Sequence, residues 1–502
     1  MTQAADLVLT NGRVRTLADG TAEAVAVRDG DIVRVGRETE VDFLAGVETR
    51  VIDLDGRVVV PGFVDAHTHM DVLGRQQEEA DLSGADSPGE CLDRLGARRE
   101  ETDGWVLGYG YDESRWGGDY LTRDQLDAVS TERPVVTFRE DLHLASVNGA
   151  VLDRYGERFP EGDVRTADGE PTGVLVEDAL TVLREELDAG PERTREYLLA
   201  AQEYAHERGV TAVHDMVRRS HAPRVYREMD LAGDLTLRVR LNYWADHLDA
   251  VVEAGLRTNH GSDRLRTGAI KTFTDGSIGG RTARLSEAYE DGEGRGEWVV
   301  SPEELDELAA RVDDAGLQMT AHAIGDEAIA AVLDAYEETS GERHRIEHAE
   351  VLTPDLIERL AGADVVVSAQ PNFLKWAREG GLYDQRLGER RRKETNQFGA
   401  LLDAGADLAF GSDGMPLDPL FGIEQAVTAP EPDQRLDVTE AVRAYTLGGA
   451  YAAFEEDRLG TIEPGKRGDF AVLAASPWSA DRISEIDIGM TVVGGTVVFD
   501  GQ

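Results

Sequence analysis

A chain of 502 residues with 98 acidic and 52 basic side chains carries a formal charge of −46, a field that repels nucleic acid and anionic membrane surfaces. A hydrophobic fraction of 41% excludes a disordered polyelectrolyte, and the single cysteine, Cys91, excludes an internal disulfide. No window of about 18 apolar residues is present to span a bilayer. The acids are spread through the chain rather than run in blocks, which suits a folded surface under strong salt screening and points to a halophilic protein. The first residues lack a basic patch and a long apolar run, so the expected location is cytoplasmic.

From the start to about residue 60, short apolar stretches (Leu7–Leu9, Ala24–Val27, Ile32–Val35, Val51–Leu54) alternate with Asn11-Gly12, Asp29-Gly30 and Asp55-Gly56, the chemistry of hairpins. The same style returns at Asp469–Leu473, Thr491–Val493 and Thr496–Phe499. Residues 1–60 and 460–502 are therefore expected to form one small composite β sandwich. Val58–Val64 reads as a buried strand leading to Asp65-Ala66-His67-Thr68-His69. On extended backbone, residues two apart point to one side, so both imidazoles can face one point. Alone, a His-X-His pair can equally be a solvated strand end.

Residues 70–205 exceed one crossover helix and carry strands of their own at 105–108 and 134–138, so a large insertion after the first barrel strand is expected, a lid or substrate wall. Gly108-Tyr109-Gly110-Tyr111 lacks the third glycine and βαβ context of a dinucleotide loop. From residue 210 the rhythm becomes strand, loop, helix, with strands at 210–214, 237–241, 269–273, 318–322, 345–348, 365–369 and 408–411. With Val58–Val64 these make eight, the pattern of an α/β (β/α)8 TIM barrel over 61–459. Barrel enzymes place their sites at the C-terminal strand ends. Those ends carry His67 and His69, Lys271, His322, His348, and Asp413 in Gly411-Ser412-Asp413, a donor set for a divalent metal of the zinc type.

The segments PGFVDAHTH (61–69), IKTFTDGSIGGRTA (270–283), HAIGDEAI (322–329), RIEHAE (345–350), GSDGMP (411–416) and LGTIEPGKRGDFAVL (459–473) resemble, in order and nearly end to end, the amidohydrolase superfamily. Within it they resemble the amidohydrolase-3 branch that includes N-substituted formamide deformylases. The resemblance implies that His67, His69 and Asp413 hold one metal, that His322 and His348 hold a second, and that Lys271 bridges them as a CO2-derived carbamate. An ammonium has no lone pair for a cation, whereas a carbamate has two oxygens able to span metals roughly 3.5–4 Å apart. A site with one metal, and a Lys271 that merely closes a salt bridge, stay open. Zinc, manganese, iron and nickel all suit such ligands.

The implied activity is hydrolysis of a non-peptide carbon–nitrogen bond in a small molecule, an amide or N-formyl group, with Asp413 moving the proton. A deaminase of a cyclic or aromatic amine would use the same site, and a non-catalytic scaffold is the reading from another class. Similar segments in the insertion suggest His143 as a donor to the carbonyl oxygen, and Tyr111 and Trp116 as walls for an apolar group. Gln370 and Asn372 end the seventh strand and are expected at the pocket. Asp326 is expected to cap the helix after it, Glu347 to point away from His348, and His344 to lie at the surface. His206, His214, His221, His247 and His260 show no partner pattern, and Arg390–Lys393 reads as a solvated helix face. A homodimer is implied only at the level of the family.

Overall fold

The computed structural model describes residues 4–18, 20–102, 104–140, 144–187 and 190–501. Eight parallel strands form one sheet in chain order: β1 (Phe63–Thr68), β2 (Val210–Val217), β3 (Arg238–Trp244), β4 (Leu265–Phe273), β5 (Met319–Ala323), β6 (His344–His348), β7 (Val365–Ala369) and β8 (Asp407–Phe410). Nearly every residue in them is buried, as parallel strands covered on both faces require. The sheet is a nearly closed barrel. At its mouth the amides of Ser412 and Asp413, just past β8, donate to the His67 carbonyl at 3.2 and 2.7 Å, which fastens the seam between β8 and β1.

Between strands, helices pack an apolar stripe inward. Pro302–Asp314 is started by a capping box between Ser301 and Glu304 and buries Leu305, Ala309 and Val312, spaced by four and three residues on one face.

The expected first strand, Val58–Val64, is in fact two. Val58–Pro61 pairs parallel with Arg13–Arg15 and antiparallel with Phe470–Leu473, in a six-stranded sheet built from both chain ends. The partner exchange happens at one residue: Gly62 donates its amide to Asp469, and Phe63 donates its amide to Gly209. Pro61 has no amide hydrogen to continue either ladder. A Cβ on Gly62 would lie 2.2 Å from Thr211 Oγ1, so only glycine passes there. A four-stranded sheet of residues 7–10, 24–28, 31–36 and 50–53 completes the terminal region, and one apolar cluster, including Leu7, Val25, Val59, Phe470 and Val492, joins it to the six-stranded sheet.

Contacts divide the chain into two compact units, residues 1–70 with 202–502, and residues 71–201. The second has its own six-stranded sheet, with Val106–Tyr111 and Val135–Arg139 as parallel neighbours inside it. Alternate residues feed two clusters, Val135 into one and Val136 with Phe138 into the other. Among the described residues no helix is long and apolar enough to cross a membrane.

Gly62→Ala should lower the thermal unfolding midpoint, because an extra methyl in a packed interior costs about 1–3 kcal/mol. An unchanged midpoint in a melt followed by circular dichroism would contradict the crossing assigned to this residue.

Candidate active site

The histidines of β1, β5 and β6 and the aspartate after β8 converge at the barrel mouth. Donor atoms of His67, His348 and Asp413 lie within 4.8 Å of one another. Asp413 Oδ1 is 3.2 Å from His69 Nε2 and 3.6 Å from His67 Nε2. The His322 ring meets His348 edge to face at 4.5 Å between centroids. Lys271, from β4, is buried, with no hydrogen-bond partner for Nζ among the described residues, and burial brings its ammonium down to about 8, with Glu347 and Asp413 opposing the shift.

Each imidazole has one nitrogen already committed, and that fixes which one faces the site. His67 donates from Nδ1 to Glu347 Oε2 at 2.6 Å, His348 from Nδ1 to Gln370 Oε1 at 2.6 Å, and His69 from Nδ1 to the Met216 carbonyl at 3.2 Å. The Nε2 lone pairs of His67 and His348 are left for the site, and His69 Nε2 meets Asp413 there at 3.2 Å. In His322 the roles reverse: Nε2 donates to the Gly276 carbonyl at 3.0 Å, and buried Nδ1 has no partner. A second partner that sets tautomer and ring orientation is what metal-ligating histidine requires.

Burial keeps these rings neutral, the state that coordinates a cation. It lowers His67, takes His348 down to about 3 and His322 well below the ordinary value. His69 differs: burial would lower it, but the hydrogen bond and charge of Asp413, together with the charge of Asp215, outweigh burial and raise it. Burial alone would raise the Asp413 carboxyl, but His67 and His69 hold it well below the carboxylate range. Neutral rings at His67, His322 and His348, an ionised carboxylate, and two buried nitrogens without a hydrogen-bond partner among the described residues, Lys271 Nζ and His322 Nδ1, fit a divalent cation of the zinc type.

Several residues that build this site carry no motif of their own. Glu347 was expected to turn away from His348. It instead holds His67 and pairs with Arg345 at 2.7 Å, both side chains fully buried. Strict alternation ends there because His348 sits at φ 71° and Ala349 at 48°, so neighbours on the chain both reach the mouth. Asp65 accepts the amides of His67 and Ser412 at 3.1 and 3.0 Å. Asp275 accepts those of Arg284, Ile324 and Gly325, and joins the loops after β4 and β5. The signal available in the chain was position alone: Asp65 is two residues before His67, and Asp275 four after Lys271.

Gln370 is committed to His348. Asn372 donates to the Ser412 and Met415 carbonyls at 2.8 and 2.7 Å, so its amide holds the loop that presents Asp413. Asp326 is the first residue of its helix rather than the cap, which is Gly325, and its carboxylate fastens Ser286. His344 is buried rather than at the surface; its Nδ1 accepts the Met319 amide and its ring packs on Tyr336. His214, given no role from sequence, accepts from Arg345 at 2.8 Å. Arg391 and Arg392 are buried against backbone carbonyls, while Arg390 is exposed and Lys393 half-buried. In the second unit Tyr111 is sealed in the core, its hydroxyl on Ser146, and Trp116 packs on that core with its indole donating to Asp119. His143 lies outside the described residues.

The amidohydrolase family model matches residues 50–499. The chain belongs to the amidohydrolase family. Among its relatives is the putative amidohydrolase YtcJ of Bacillus subtilis, 32% identical over 95% of this chain and 96% of that one. The N-substituted formamide deformylase of Arthrobacter pascens is 28% identical over 100% and 99%. An uncharacterized metal-dependent hydrolase from Pyrococcus furiosus superposes with a TM-score of 0.82 at 31% identity, covering 94% of this chain and all of that one. This amidohydrolase is thus a hydrolase of carbon–nitrogen bonds, and the donor set at its barrel mouth fits a divalent metal.

Glu347→Gln should weaken metal retention by about 10–100-fold, the usual cost of losing a partner behind a ligating histidine. Competition with a graded chelator, followed by metal analysis, reads this directly; wild-type retention would contradict the role given to Glu347. A second expectation concerns acid. Burial holds His206 at about 4, against about 6.5 in an unfolded chain. A depressed pKa stabilises fully above the unfolded value, so this contribution should be lost as pH falls from about 6.5 toward 4. In melts of the metal-free protein, His206→Gln should flatten that part of the decline.

Proposed function

We propose that the protein hydrolyses an amide or N-formyl group on a small molecule, with two divalent cations at the barrel mouth. His67, His69 and Asp413 would hold one, His322 and His348 the other, with Lys271 between them as a carbamate. The observation that carries this reading is the set of ring nitrogens not engaged by Glu347, Met216, Gln370 and Gly276. Zinc is the metal best matched to neutral imidazole and carboxylate donors. When bound, such cations polarise a carbonyl and bring the pKa of water down to about 7.

The chain's own groups would do the rest. Asp413, beside His67 and His69, would take a proton from the attacking water and return it to the departing nitrogen. Asn372 and the Asp65 carboxylate keep its loop in position during that transfer. Lys271 supports the carbamate because burial already favours its neutral amine, the form that reacts with CO2. The formamide deformylase relative, similar over the full length, supports N-formyl amines as the first substrates to test.

The test is a panel of N-formyl and N-acyl amines at molar salt with zinc or manganese, scored for amine and carboxylate release. Asp413→Asn should lower kcat by about 10²–10⁴-fold, the range for a lost proton-transfer group. Ammonia release from cyclic amines, with no turnover of acylated ones, would replace this reading with a deaminase. Labelled bicarbonate should give a carbamate resonance that disappears in Lys271→Ala. Its absence from the metal-loaded wild type would remove the bridge.

A further inference from the structure

At the end of the barrel opposite the mouth, where β3 and β4 begin, lies a cavity of about 10 Å3, the scale of one water or one monatomic ion. Among the described residues its charged lining is four arginines, Arg238, Arg240, Arg264 and Arg266, against two carboxylates, Asp263 and Glu455. Beyond that lining, Arg238 is also held by the buried Asp469 carboxylate, at 2.6 and 3.0 Å.

The carboxylates are already taken. Asp263 bonds Arg238 at 3.0 Å, Arg467 at 2.5 Å and also Arg458, and Glu455 bonds Arg458 at 2.6 Å and Arg266 at 3.4 Å. Among the described residues Arg240 makes no ion pair, and Glu455, already bonded to Arg458 and Arg266, only partly offsets its burial. The Arg240 guanidinium, 3% exposed, reaches the Asn259 side chain, the Ala453 carbonyl at 2.8 Å and Gln318 Oε1 at 3.2 Å, all uncharged acceptors, and its buried Nε has none. A buried charge outside an ion pair is costly, and here the cost is visible: burial lowers Arg240 to about 9, and Arg345 adds to the effect.

We infer that this cavity is a binding site for a small monovalent anion of the size of chloride, held against Arg240 Nε, which has no hydrogen-bond partner among the described residues. The site takes a monatomic ion rather than a phosphate or carboxylate ligand because the space is too small for a polyatomic one. It is built at the barrel floor, on the starts of β3 and β4, so its role is structural and separate from the chemistry at the mouth.

The test uses the full-length, metal-loaded protein exchanged into sodium methanesulfonate, with chloride or bromide introduced at constant ionic strength. The melting midpoint should rise along a saturating curve, by roughly 1–2 °C once the halide is about ten-fold above its Kd. Arg240→Met should lose the saturating component. A linear response, or identical curves for the two proteins, would overturn the proposal. Because the variant can fail to fold, the unmodified protein gives a second readout: crystals exchanged into bromide should show an anomalous peak within contact distance of Arg240 Nε. A water there, with no anomalous signal, would equally overturn it.

Discussion

Arg345 and Glu347 meet in the barrel interior with no exposed surface on either side chain, and the metal site is assembled upon that pair. Arg345 also donates to the Ala66 carbonyl at 2.5 Å, Ser368 Oγ at 3.0 Å and His214 at 2.8 Å, while Glu347 takes His67 and Thr320. Five strands, β1, β2, β5, β6 and β7, are thus tied to two side chains of one of them. A buried ion pair gives little net stability, since desolvation offsets most of the attraction, yet breaking it costs about 3–5 kcal/mol. What the pair adds here is direction. It turns one imidazole nitrogen away from the mouth and so aims the other into it.

The mouth itself is made by backbone that regular strands do not provide. His348, Ala349 and Asp413 all have φ between 48° and 71°, and a Cβ on Gly411 would fall 2.4 Å from the His67 amide nitrogen. Side chains rarely accept such conformations unless their surroundings impose them. The surroundings do so through Asp65, Asn372 and Gln370, each spending its polar atoms on a ligand or on the loop beside one. Strain at the ligands and hydrogen bonding around them are two sides of one arrangement.

The barrel and its donor residues were legible in the chain because strand ends of apolar runs mark the mouth, and histidine, lysine and aspartate at those ends are unusual. What sat behind them was not. Glu347 lies 280 residues from His67, so no local pattern links them, and a period of two sends its side chain the wrong way once His348 leaves the strand. Val58–Val64 looked like one strand because every residue suits a buried sheet; only Gly62, squeezed by Thr211, reveals that the chain changes sheets within it. Arg391, Arg392 and His344 looked solvated because polarity was taken for exposure, whereas carbonyls and a backbone amide satisfy them indoors.

The pairing of Val58–Pro61 with Phe470–Leu473 has a consequence for biogenesis. The nascent amino-terminal strands leave the ribosome roughly four hundred codons before the segment that completes their sheet. Until then an edge of β-branched residues stands open, and such edges template association with other chains. The abundance of acid along the whole polypeptide gives these waiting chains a mutual repulsion. The charge that suits the finished surface thereby also guards the unfinished one.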